Sequence, residues 1–436
     1  MNITFTLTKK ESAYKEIASY IQKLIENKTL KKDEKLPSKR ALAQSLNVSV
    51  NTIMNAYLVL LDAEYIYSIE KKGYFVSDVF KSTIKLNDEI KESKSLIKYD
   101  FTTKNIDSTL FPKSIFKRLY TEAINNDTFL NKSPNKGIYN LQLAISKHIN
   151  QNRGISVLPQ QIIIGSGIES LLSLLLPLLN INIFGIENPG YHKVSDIIKN
   201  NNKTVKYLDV DKEGVIPNND VDLIYTTPFN QFPLGIKMSI KRKKELLEFL
   251  NNKNKFIIED DFDAEFRFNT TPSQSLFSLN QQQVIFLSSF SRTISSSLRI
   301  SYMILPLNLL KKFEEKYYNY SNPVPSIEQY VLADFINNGH YQTHINKLKR
   351  IYKQRRKIIE EYFANKDNIS IISKDNYLYL LAECKTNFNK PNTIDIDTLA
   401  KYDIYKQNSN ILLIGYSNIN NKELLIALDE LYSYVK

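Results

Sequence analysis

The sequence predicts a chain in two parts: a small N-terminal winged helix-turn-helix, then a large α/β domain. Three observations carry this. Three helical patterns and a short hairpin fit within the first 78 residues. Beyond residue 98, short apolar strands alternate with helical patterns, the signature of a sheet with crossover helices. Between them, residues 79–98 are polar and charged, as a connection between domains would be. The expected boundaries are 8–78, 79–98 and 99–436. A length of 436 residues suits two or three domains, and 42% hydrophobic with 24% charged residues is a soluble globular composition.

Ser12 to Glu26 places Ala13, Ile17, Tyr20, Ile21, Leu24 and Ile25 at helical spacing. Leu36-Pro37-Ser38 introduces a second helix with Ser38 as its cap. Ser49 caps a third, running to about Asp62 and burying Ile53, Tyr57, Leu60 and Leu61. Two strands, Tyr65 to Ile69 and Tyr74 to Val76, are joined by Glu70-Lys71-Lys72-Gly73. The third helix offers Asn51, Thr52 and Asn55 outward, where they can meet base edges or phosphates in a major groove. Lys39, Arg40, Lys71 and Lys72 suit phosphates. From Ala41 to Leu61 there is no charged residue. A helical interaction module without a DNA role fits the same pattern.

The stretch LPSKRALAQSLNVSVNTIMNAYLVLLDAEYIYSIEKKGYFV resembles the DNA-binding domain of the GntR family of bacterial repressors. Leu36-Pro37-Ser38, Arg40, Leu42-Ala43, Val48-Ser49, Asn51-Thr52, Ala56-Tyr57 and Gly73-Tyr74-Phe75-Val76 carry the match in order. The resemblance implies operator DNA as partner, with Ser38, Lys39, Arg40, Ser49, Asn51, Thr52, Asn55, Lys71, Lys72 and Gly73 on the DNA side. Val50 and Asn55 stand where the family often has arginine, so the operator sequence does not carry over.

In the larger part, strands are expected at Gln161 to Ile164, Asn182 to Ile186, Thr204 to Leu208, Asp222 to Tyr225, Lys255 to Ile258, Val284 to Leu287 and Leu298 to Leu305. Ligands in such folds bind at carboxyl ends of strands. The motifs gather there: Gly165-Ser166-Gly167-Ile168-Glu169, Asn188-Pro189-Gly190-Tyr191, Thr227 to Gly235, and Glu259-Asp260-Asp261-Phe262-Asp263. The last segment, Phe286 to Leu305, sets Ser289, Ser291, Arg292 and Arg299 between two apolar runs. Guanidinium groups match phosphate or carboxylate bidentately, so an anion site is expected. Only ten residues of the chain are arginine.

The order of these motifs resembles a fold-type I aminotransferase-like α/β domain, with its C-terminal α+β subdomain, fused behind a GntR-type reader. That is the MocR group of regulators, some of which control pyridoxal-phosphate synthesis or amine catabolism. Residue by residue, the resemblance implies that Gly167 and Ile168 with Ser289 and Arg299 hold a cofactor phosphate. Tyr191 stacks on the pyridine ring, Asp260 faces the ring nitrogen, and Asn230 or Gln231 lies near the ring hydroxyl. Pyridoxal phosphate is the cofactor so implied, and a homodimer places two readers on paired half-sites.

Three positions depart from that family. Arg292 occupies the cofactor-lysine position, and a guanidinium stays protonated and is no nucleophile. No lysine lies between Lys255 and Lys311. Phe262 stands where a tyrosine is usual, and no arginine follows Arg356 to hold a substrate carboxylate; the comparable stretch is Ile411 to Tyr416. The expectation is a transcription regulator that senses pyridoxal phosphate or another anionic metabolite non-covalently, Arg292 adding an anchor, without transamination. The alternatives are an enzyme using another lysine and a domain kept for dimerisation. His340 and His344 are too few for zinc, and no metal is expected. A single cysteine, Cys384, fits a reducing compartment, and the absence of an apolar leader or span fits a cytoplasmic protein without membrane contact. The net charge of +12 permits nucleic acid, although a lysine-rich bias gives the same sign.

Overall fold

The computed structural model describes residues 12–78, 96–252, 254–266, 274–373, 378–386, 388 and 390–435. The chain divides into two compact units, 1–94 and 95–436. Residues 8–11 of the expected reader and 79–95 of the expected linker lie outside the described residues.

In the first unit, α1 (Ala13–Glu26) buries Ile17, Ala18, Ile21 and Ile25. Helix α2 (Lys39–Leu46) and helix α3 (Val50–Asp62) follow. Both expected caps form. Ser38 Oγ accepts from Ala41 N at 3.2 Å, and Ser49 Oγ accepts from Thr52 N at 3.1 Å. Asn47, left-handed at φ 51°, ends α2 and turns the chain into α3. The buried Tyr57 donates its hydroxyl to Pro37 O at 2.9 Å, tying α3 to the segment before α2. Strands β1 (Ile66–Ile69) and β2 (Gly73–Val76) pair antiparallel, Ile66 opposite Val76. Replacing Ser49 with alanine is expected to lower this unit's stability by about 1 kcal/mol, the usual worth of a helix cap, read by chemical denaturation.

The second unit is built on an eight-stranded sheet. After β3 (Tyr99–Asp100), α4 (Lys113–Ile124) and α5 (Tyr139–Arg153), the sheet strands are β4 (Ile162–Gly165), β5 (Ile183–Asn188), β6 (Thr204–Asp211), β7 (Gly214–Val215), β8 (Leu223–Thr226), β9 (Phe256–Asp260), β10 (Val284–Ser289) and β11 (Ser301–Ile304). Their order is β4-β11-β10-β9-β8-β5-β6-β7. Strands β6, β5, β8, β9 and β10 run parallel, and β11 lies antiparallel between β10 and β4. All seven expected strands are present. The last starts at Ser301 instead of Leu298, because the chain is still turning and Arg299 adopts φ 51°. The carboxyl ends of β4, β5, β8, β9 and β10 therefore meet along one edge. Helices α6 (Ile168–Leu175) and α7 (Lys193–Asn200) leave from that edge. The apolar run after Gly167 is a buried helix, as its length and Pro177 suggest, with Leu171, Leu172 and Leu175 inside.

A second, antiparallel sheet near the C-terminus contains Ile369–Ile371, Tyr379–Cys384, Ile411–Gly415 and Asp397–Thr398 in that order. It packs with the long helix His340–Phe363. Arg355 of that helix is fully buried and donates to Asp107 at 2.6 Å and to the carbonyls of Tyr416 and Ser417. No described helix is long and apolar enough to cross a membrane.

Candidate functional site

On the first unit, Arg40, Asn51, Asn55, Lys71 and Lys72 are exposed, while Lys39, Thr52 and Gly73 are half-buried. Ser38 and Ser49 use their oxygens in capping. Lys39 Nζ sits 5.7 Å above the Tyr74 ring. Lys71 at φ 60° and Gly73 at φ 114° make the tight hairpin turn that presents the two lysines.

On the second unit, a cavity of about 460 Å³ opens at the common edge of the strands. It is lined by Gly167, Ile168, Tyr191, Asp260, Ser289, Arg292 and Arg299, seven of the nine residues expected there. Gly167 and Ile168 follow β4, Tyr191 follows β5, Asp260 ends β9, Ser289 and Arg292 lie at and beyond the end of β10, and Arg299 just precedes β11, which is why residues so far apart in sequence converge.

Asn230 and Gln231 do not line it, which corrects the expectation for them. Both are fully buried behind the wall. Gln231 Nε2 donates to Glu187 at 3.3 Å and to Pro189 O at 2.8 Å. Glu187 is a buried carboxylate that also accepts from Thr226 and Thr227, so the amide completes its shell. The cavity wall at this turn is instead Phe232, edge-on to Phe262 with ring centroids 5.2 Å apart. Thr227 of the same turn also lines the cavity, but its hydroxyl is donated to Glu187 at 2.7 Å, so this side shows two phenyl rings and a hydroxyl already engaged. Nothing in the Thr227 to Gly235 motif marks Phe232 over its two amide neighbours; the buried Glu187 turns Gln231 inward, while neither amide atom of the buried Asn230 has a partner among the described residues.

Arg292 is not a free cation. Its Nε and Nη2 each donate at 2.9 Å to the two oxygens of Asp263, whose side chain is 0% exposed. The guanidinium also lies 5.5 Å from the Phe262 ring. Nη1 has no partner among the described residues. Asp263 itself is held at φ 53°, a strained conformation that aims its carboxylate at Arg292. The next residue, Thr293, is fixed by His344 Nε2 at 2.9 Å and Tyr341 Oη at 3.2 Å. His340 faces Arg118 instead, so the two histidines do not converge, and no described group of His, Cys, Asp and Glu could hold a metal.

Arg299 is half-exposed and pairs with Glu169 at 3.0 Å beside the first turn of α6. A Cβ at Gly167, whose φ is 106°, would collide with that guanidinium, so only glycine lets Arg299 approach the helix N-terminus. Ser289 Oγ donates to Ser291 at 3.0 Å and accepts from Ser301 at 2.9 Å. Asp260 lies at the cavity floor, hydrogen-bonded to Tyr225. Burial pushes its carboxyl up to about 7, with Asp261, Glu187 and Asp263 adding to the rise and the Tyr225 bond opposing it. Burial likewise raises Tyr191 to about 12, which keeps that wall neutral.

These residues fit pyridoxal phosphate in part. The glycine–arginine corner, the Tyr191 ring and a buried acid suit a phosphorylated aromatic nitrogen base. The Phe232 and Phe262 rings offer nothing to a ring hydroxyl, the Thr227 hydroxyl beside them is given to Glu187, and Arg292 is a guanidinium locked to a carboxylate, a group that does not attach a carbonyl as an amine does.

Residues 13–76 match the family model of bacterial regulatory proteins, gntR family, and residues 104–416 match that of aminotransferase class I and II. An uncharacterized HTH-type transcriptional regulator of Bacillus subtilis, YdeL, is 34% identical, covering 88% of this chain and 86% of that protein. The HTH-type pyridoxine biosynthesis transcriptional regulator PdxR of Corynebacterium glutamicum is 26% identical over 88% of this chain and 85% of its own length. The probable rhizopine catabolism regulatory protein MocR of Rhizobium meliloti is 27% identical over 76% and 72%. Among solved structures, an archaeal alanine:glyoxylate aminotransferase superposes with a TM-score of 0.68 at 20% identity, covering 77% of this chain and 90% of that one. At that identity the likeness speaks for the fold alone.

Proposed function

The chain belongs to the HTH-type transcriptional regulators that join a gntR-family domain to an aminotransferase class I and II domain, and from that membership we propose that its larger unit holds a small anionic molecule non-covalently and performs no transamination. The observation that carries this reading is the Arg292–Asp263 pair. A buried, doubly bonded guanidinium occupies the segment where the family's chemistry needs a free amine. The corner made by Gly167, Arg299 and the start of α6 supports an anion, and a phosphate arriving there competes with Glu169 for Arg299. One relative is named for pyridoxine biosynthesis, so pyridoxal 5′-phosphate is the first ligand to test. A homodimer on paired operator half-sites in the cytoplasm completes the reading. The ligand acts only in so far as it favours one arrangement of the readers over another.

The test uses the full chain and the duplex upstream of its own gene. A gel shift at low salt is expected, together with a rise in melting temperature on adding pyridoxal 5′-phosphate that dialysis reverses. Borohydride should fix no ligand to the protein. A yellow, borohydride-reducible protein would favour the competing reading, an enzyme that uses another lysine; Lys104, Lys193 and Lys401 line the same cavity.

A further inference from the structure

Helix α3 turns Ile53, Ala56, Tyr57 and Leu60 into the core of the first unit. The opposite face is unusual. Val50, Met54 and Leu58 form one row along it, 44%, 38% and 47% exposed, and Asn51 and Asn55 form the neighbouring row, both exposed. No lysine, arginine, aspartate or glutamate lies between Ala41 and Leu61. The exposed basic groups of the described first unit all stand outside the helix, among them Arg40 in α2 and Lys71 and Lys72 in the hairpin turn.

In the major groove each base pair shows its own pattern. Guanine presents two acceptors, best met by arginine or lysine. Adenine presents an acceptor beside a donor, which a carboxamide matches with two bonds. Thymine presents a methyl group, which an apolar side chain covers. The exposed face of α3 offers two carboxamides and a row of apolar side chains, and no cation. The core is complete without Val50 and Met54, so their exposure leaves apolar surface in water that a thymine methyl would cover.

We propose that α3 reads A·T pairs, Asn51 and Asn55 engaging adenine edges and Val50 with Met54 seating thymine methyl groups, while the exposed basic residues outside the helix hold phosphates. The first turns of such a helix are the part that reaches base edges, which places these four residues in the groove ahead of Leu58. This rests on the DNA-binding reading and adds to it a class of operator core.

The full-length protein is used to select duplexes from a pool of random sequence. A consensus whose half-sites are A·T at the contacted positions is expected. A G·C-rich consensus overturns the proposal and leaves DNA binding standing. Failure to retain any duplex at low salt overturns DNA binding itself, and would leave the apolar row as a protein-binding face. On the selected duplex, Asn51→Ala and Asn55→Ala should each weaken binding roughly 5- to 100-fold, with little change on unrelated duplex. Replacing thymine by uracil, which removes only the methyl group, should weaken the wild type. The loss should shrink or vanish in Met54→Ala or Val50→Ala, both exposed positions that leave the fold intact. A uracil penalty that is absent in the wild type, or unchanged in both variants, overturns the assignment of the apolar row.

Discussion

Replacing Arg292 with alanine should lower the unfolding free energy of the larger unit by roughly 3–5 kcal/mol, the usual cost of stripping a buried carboxylate of its cation. The Asp263 side chain is 0% exposed and takes both of its strong bonds, at 2.9 Å each, from this one guanidinium. Removing Arg292 leaves the carboxylate without that partner in a site already crowded by Asp260 and Asp261. Arg292→Lys keeps the charge but not the fork, and should lose about 1–3 kcal/mol. Arg292→Ala combined with Asp263→Ala should recover much of the loss, since the pair then disappears as a unit. Urea titration followed on the larger unit's transition reads all three variants. If Arg292→Ala leaves that transition unmoved and abolishes only the ligand-induced rise in melting temperature, Arg292 is a ligand anchor and the structural role fails. The same geometry bears on restoring chemistry. A lysine at 292 would face Asp263, which stabilises the ammonium form over the neutral amine. Arg292→Lys alone should therefore yield no borohydride-reducible product, whereas a neutral residue at 263 in addition would free the amine.

Much of this architecture was legible in the residues, for a physical reason. Caps are local: Ser38 and Ser49 announce α2 and α3 because a hydroxyl three residues ahead of a backbone donor is a short-range device. The core strands are apolar on both faces, so their existence shows in composition, and the motifs at their carboxyl ends follow from the topology. What stayed hidden was decided by partners distant in the chain. Arg292 read as an anion anchor because nothing nearby suggests that Asp263, 29 residues earlier, would claim it. Gln231 read as a ligand contact, yet it serves Glu187, 44 residues away, and leaves Phe232 to form the wall. The outward row of Val50, Met54 and Leu58 was equally hidden, since apolar residues in a helix are ordinarily assigned to its core.

Asp260→Asn should make the empty protein more stable above pH 7 and at the same time less responsive to ligand. A carboxyl that rises from its ordinary 3.8 to about 7 when buried forfeits about 4 kcal/mol of folding free energy once ionised. The sign follows from proton counts. Below pH 4 the folded and unfolded chains both hold this proton, and the site costs nothing. Between pH 4 and 7 the unfolded chain ionises while the folded one does not, so stability falls as pH rises; above pH 7 the whole cost is present. Asparagine cannot ionise and still accepts from Tyr225, so its variant should lack this slope and melt higher than the wild type at pH 8. Ligand binding should reverse the ranking. On the proposed reading, a bound ligand whose protonated ring nitrogen lies opposite Asp260 would give the carboxylate the cation it lacks, and the energy lost on folding would be regained on binding. Saturating pyridoxal 5′-phosphate should thus raise the wild type's melting temperature more than the variant's. A variant that melts below the wild type at pH 8 with no ligand present would mean that Asp260 is already compensated, and the case for a cationic nitrogen at the cavity floor would fall with it.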